Sequence, residues 1–105
     1  MGVQVHHHPD AVVSVELTGA IDDPPAAARL QQVLVDALLH GNPSRVVIDL
    51  RAATRLDPTA IGMLLAAADT ADDLAVGLSV CNPRSEVAEQ LLRSGLSGQR
   101  IRATG

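Results

Sequence analysis

The 105-residue sequence contains no Phe, Trp or Tyr, no Lys, and a single cysteine, Cys81. Without aromatic rings the chain has no platform on which unstacked bases could lie. Its eight basic residues are all Arg and are scattered among twelve acidic ones, for a net charge of −4. That balance offers no electrostatic footprint for a phosphate backbone. Nucleic-acid binding is therefore excluded as the expected role. A lone cysteine rules out an internal disulfide framework and any multi-cysteine zinc site. The missing lysine removes both a Walker-type phosphate anchor and a Schiff-base nucleophile, and neither a phosphate-cradling glycine loop nor a dinucleotide fingerprint is present. No apolar run approaches the ~20 residues that span a bilayer. The first residues lack the charged start and apolar segment of a signal peptide, so the expected location is the cytoplasm.

What the chain does have is aliphatic residues, since 47% of it is hydrophobic. A chain this long buries roughly two thirds of its unfolded surface. A single domain over residues 1–105 is expected, with a core of Ala, Val, Leu and Ile. Disorder does not fit such a composition.

Val3 to His6 alternates like a half-buried strand. His8-Pro9-Asp10 is a turn signal, Val12 to Leu17 is a second strand, and the pair reads as a hairpin that Gly19 ends. Asp22-Asp23-Pro24-Pro25 has the acidic cap and first-turn proline of a helix start. Leu30, Val33, Leu34, Ala37 and Leu38 then form one apolar stripe, with Gly41 expected as the left-handed C-terminal residue before Pro43. Val46 to Leu50 suits a central parallel strand. Asp57-Pro58 repeats the helix-start signal, and Ile61, Leu64, Leu65 and Ala68 face the core. Leu78 to Cys81 is the next strand. Asn82-Pro83 or Ser85 opens a third helix that buries Val87, Ala88, Leu91 and Leu92 and is capped by Gly95, and Ile101 marks a final short strand. The expected fold is α/β: a mixed, mainly parallel sheet of four to five strands with an N-terminal antiparallel hairpin and crossover helices.

Few side chains suggest chemistry. His6, His7 and His8 are adjacent, but a strand sends alternate residues to opposite faces, so at most His6 and His8 converge. The plainer reading of that stretch is a polar hairpin edge. Cys81 has no evident thiolate-stabilising neighbour and reads as structural. Asp49 sits near the carboxyl end of the central strand, where sites form in open α/β sheets, yet no base or metal partner accompanies it. No catalytic residue, metal or cofactor is assigned.

Val46-Val47-Ile48-Asp49-Leu50, Asp57-Pro58-Thr59-Ala60 and Ile61-Gly62-Met63-Leu64-Leu65 form a strand, a loop and a helix start. Together they resemble the STAS domain family of anti-sigma factor antagonists, in which an apolar strand precedes Asp-Ser-Ser-Gly and a Gly- and Leu-rich helix. Leu17-Thr18-Gly19-Ala20-Ile21-Asp22 looks like that family's Gly-x-Leu-Asp element. Val80-Cys81-Asn82-Pro83 and Leu91 to Leu96 are similar to its last strand and helix.

The resemblance implies a bacterial regulator of transcription that binds a kinase-type anti-sigma factor and is released when a serine at the second helix start is phosphorylated. A helix N-terminus tolerates the added phosphate, while its charge disrupts docking. Here that serine is Pro58, which has no hydroxyl, and Thr59 is the neighbouring candidate phosphoacceptor. Three readings follow: a switch through Thr59, constitutive binding, or a purely structural helix start. Asp22, Asp57, Pro58, Thr59, Ala60 and Met63 are the expected partner-binding residues; Met63 falls off the apolar stripe and is either exposed and able to adapt to a partner or a gap-filler at the sheet boundary. The family also includes accessory subunits of lipid-transporting ABC systems, which contact the ATPase, and nucleotide-sensing domains. These are the alternative functions.

Overall fold

The computed structural model describes residues 2–103. Its strands are β1 (Gly2–His8), β2 (Val12–Ile21), β3 (Arg45–Asp49), β4 (Ala53–Leu56), β5 (Gly77–Cys81) and β6 (Ile101–Arg102). The helices are α1 (Pro24–Val35), α2 (Pro58–Asp73) and α3 (Ser85–Arg93), and α1 runs on into a wider π turn over Asp36–His40. This is the mixed α/β architecture expected, with six strands among the described residues rather than four or five. The sheet order is β1-β2-β3-β5-β6, with β1 antiparallel to β2 and the remaining pairs parallel.

The additional strand is β4, whose residues read as loop in the sequence. It pairs in parallel with the far half of β2, matching Gly19 to Ala53 and Ile21 to Leu56. Gly19 does not end β2, as its position suggested. It lies in the left-handed region at φ 76°, next to a register shift between Gly19 and Ala20. A glycine bulge bends a strand without stopping it. So β2 leaves β3 after Glu16 and continues beside β4.

Two helix ends also differ from expectation. Gly41 stays right-handed at φ −106°, and Asn42 takes the left-handed position at φ 44°. Asparagine tolerates that region better than other side-chain-bearing residues. In α3, Val87 and Leu91 are buried, but Leu92 is 48% exposed. It sits one position round the helix from Leu91, so the apolar stripe that faces the core is narrower than expected and Leu92 lies outside it. Gly95 ends α3 as expected, at φ 112°, with the Leu96 N–H donating back to the Leu91 carbonyl at 3.0 Å.

The strand order β2-β3-β5-β6 advances in one direction across the sheet. Right-handed crossovers therefore place all three helices on the same face. Burial follows that rule. Val13, Val15, Leu17, Val46, Ile48, Leu78 and Val80 are buried, and all but Val13 share one core cluster with Leu30, Leu34, Leu64 and Leu91 of the helices. Their alternates Ser14, Glu16, Val47 and Asp49 lie on the opposite face and are only half-buried. Alanines carry much of the α2 contact, with Ala60, Ala67, Ala68 and Ala71 all buried. Small side chains let a helix approach closely, which suits a core without rings.

Candidate functional site

The end of β2 and the end of β4 deliver two helices side by side. The Asp57 N–H donates to the Ile21 carbonyl at 3.0 Å, fixing the start of α2 against the residue that precedes Asp22. Both helices begin with an aspartate cap and a proline. The Asp23 carboxylate accepts from the Ala26 N–H, and the Asp57 carboxylate from the Ala60 N–H, each at 2.8 Å. Proline suits the first turn because its missing N–H would have no partner there. Each cap thus satisfies a backbone donor that the helix leaves open.

Across this corner the Arg55 guanidinium meets the Asp22 carboxylate at 3.0 Å. The pair joins β4 to the start of α1. Arg55 was not singled out in the sequence, and nothing local marks it: its partner lies 33 positions away, and only the β2–β4 pairing brings them together.

The expected docking residues do not all reach the surface. Asp22, Pro58 and Thr59 are exposed and Asp57 is half-buried, so these four form a contiguous surface around the start of α2. Ala60 is fully buried, with 0% exposure. As the third residue of α2 it faces the sheet, and only its N–H takes part in the corner. Met63 is half-buried and does not border the helix start as an exposed residue. It packs on the core and lines a groove of about 160 Å³ between α1 and α2, with Leu34, Leu38 and Ala67. Val35 and Leu39 flank that groove and are 37% and 54% exposed.

Other reactive side chains lie away from this corner. Cys81 is buried on the helix-free face of the sheet, and its thiol is pushed above the ordinary 9.0 by burial first and by the Asp49 carboxylate second, with Arg102 and Arg45 pulling it back. A thiol held protonated is a poor nucleophile. Asp49 accepts a hydrogen bond from the Arg51 N–H at 2.9 Å, a local turn contact. Among the described residues, no three His, Cys, Asp or Glu side chains gather closely enough to hold a metal ion by themselves, and no helix is long and apolar enough to cross a membrane.

The family model described as "Mlab, STAS domain" matches residues 4–103. No curated protein matches the chain by sequence. Among solved structures, the chain superposes on the anti-sigma factor antagonist SpoIIAA in its unphosphorylated form with a TM-score of 0.86 at 18% identity, covering 99% of this chain and 89% of that one. SpoIIAA is a Bacillus cell fate determinant, also solved in a phosphorylated form. An anti-sigma factor antagonist from Mycobacterium paratuberculosis matches at 25% identity with a TM-score of 0.78, over 99% of this chain and 86% of that one. A sulfate transporter family protein from Wolinella succinogenes matches at 21% identity and 0.73, over 90% and 78%.

Proposed function

The chain belongs to the STAS domain family, and from that premise we propose that it is a protein-binding regulator of the anti-sigma factor antagonist type. Its partner is a kinase-type anti-sigma factor, captured through the surface formed by Asp22, Asp57, Pro58 and Thr59. The observation that carries this reading is the paired helix start itself. Two capped N-termini are held in register by the Asp57-to-Ile21 hydrogen bond and the Asp22–Arg55 ion pair. That surface is small in side-chain volume and presents the Asp22 and Asp57 carboxylates beside Arg55, a charge pattern that a partner of complementary charge would read. The activity proposed is binding.

Binding in this chain is constitutive on our reading. Pro58 occupies the first helical position, where the family places its phosphoacceptor serine, and it has no hydroxyl to phosphorylate. Thr59 is exposed one residue on and is the alternative acceptor. Incubating the chain with ATP and a cognate kinase-type anti-sigma factor, then measuring intact mass, decides between them. Complex formation with unchanged mass supports constitutive capture, and a phosphate lost on Thr59→Ala overturns it. If no such kinase binds the chain, the anti-sigma reading itself fails.

A second reading, an accessory STAS subunit that binds the ATPase of a lipid-transporting ABC system, rests on the family model described as "Mlab, STAS domain". It would use the same corner. Parallel titrations against a transport ATPase and an anti-sigma factor distinguish the two.

A further inference from the structure

We propose that His6 and His8 form a two-ligand zinc site, which a second copy of the chain completes with its own His6 and His8. The two histidines are alternate residues of β1 and project from the same face of the sheet, with ring centroids 6.5 Å apart. Two imidazoles sharing a tetrahedral zinc at ~2.0–2.1 Å place their ring centroids roughly 5 Å apart. Both residues are exposed, so modest side-chain rotation closes the difference. The Ser14 hydroxyl helps set the geometry. Ser14 pairs directly with His6 across the hairpin, yet its Oγ lies 2.8 Å from His8 Nε2. That diagonal contact orients the His8 ring through Nε2 and leaves Nδ1 as the nitrogen for the metal.

Imidazole is a borderline ligand that suits zinc. Zinc is four-coordinate in structural sites, and with no third His, Cys, Asp or Glu in reach among the described residues, this chain supplies half of the set. A second copy supplies an identical half through a two-fold arrangement, the commonest symmetry of soluble assemblies. Access is open because every helix lies on the opposite face, and β1 is the outer strand of the sheet. The metal's positive charge also offsets repulsion between two chains of net charge −4.

The test uses the whole chain, with zinc chloride as the probe, in titration calorimetry and light scattering after gel filtration. The expected result is one zinc bound per two chains with a doubling of mass, reversed by a chelator. His6→Gln and His8→Gln each abolish the doubling. His7→Gln retains it, because His7 faces the helix side, where it lines a pocket with Val33 and Ala37. All three positions are exposed, and circular dichroism verifies that the variants stay folded. Zinc that leaves the wild-type mass unchanged overturns the proposal, as does a His6→Gln/His8→Gln double variant that still dimerises with zinc.

Discussion

Arg55 at the end of β4 meets Asp22 at the start of α1 with 3.0 Å between guanidinium nitrogen and carboxylate oxygen. Their side chains are 72% and 33% exposed. Exposed pairs of this kind contribute about 0–1 kcal/mol to stability. Arg55→Ala is therefore expected to move the urea midpoint only slightly. Its larger effect is on docking, because Asp22 loses the contact that holds it beside Asp57. Affinity for the protein partner, measured by calorimetry, should fall while stability is nearly constant. A fall in stability of several kcal/mol would contradict this assignment.

The Asp57 carboxylate is different, because it closes the start of α2 from a half-buried position. Asp57→Ala leaves the Ala60 N–H without its partner and is expected to cost about 0.5–2 kcal/mol. Asp57→Asn keeps an accepting oxygen and should recover most of that loss. Urea unfolding of the two variants side by side provides the check. Equal losses would mean that charge, and not the capping hydrogen bond, stabilises this corner.

Pro58 is the position that separates this chain from a phosphoswitch. Pro58→Ser restores a hydroxyl at the first position of α2 without disturbing the Asp57 cap. We expect the variant to gain one phosphate from a cognate kinase-type anti-sigma factor and to bind it more weakly afterwards, since roughly two negative charges then enter the docking surface. The wild-type chain should keep both its mass and its affinity under the same treatment. A Pro58→Ser chain that binds the kinase but is not phosphorylated would show that the missing hydroxyl is not what withholds the switch.

The core makes a separate demand. Leu64 of α2 is fully buried among Ala, Val, Leu and Ile side chains, with no aromatic ring available to relax into a gap. Leu64→Ala should cost about 2–5 kcal/mol, the range for truncating a buried leucine. Leu92→Ala, at a 48% exposed position of α3, should cost far less. Comparable losses at the two sites would contradict the packing described for α3.

Local patterns carried most of this fold. The acid-proline starts of α1 and α2, the β-branched run of β3 and the glycine that ends α3 each state their structure within a few residues. What the sequence hid depends on contacts between distant segments. Ala53 to Leu56 becomes a strand only because β2 bends at Gly19 and offers it an edge. Arg55 joins the site only through that same pairing. The Asp57 cap and Pro58 at the start of α2 were legible because a helix cap is a local device. The full burial of Ala60 was not legible, because burial on α2 depends on where α1 and the sheet approach it.

Cys81 links stability to pH on the helix-free face. Its thiol is raised above the ordinary 9.0, mainly by burial and then by Asp49. The folded chain therefore holds this proton after the unfolded chain has released it. By linkage, stability falls with pH wherever the folded state binds more protons. The contribution of Cys81 is fully present below pH 9 and is lost as pH rises through the folded-state value. Cys81→Ala removes this dependence, so the stability difference between wild type and variant should be flat from pH 6 to 8. Above pH 9 the difference should shift in the variant's favour. Denaturant unfolding at a series of pH values measures it. A difference that stays flat into the alkaline range would mean that Cys81 loses its proton as readily in the folded chain as in the unfolded one.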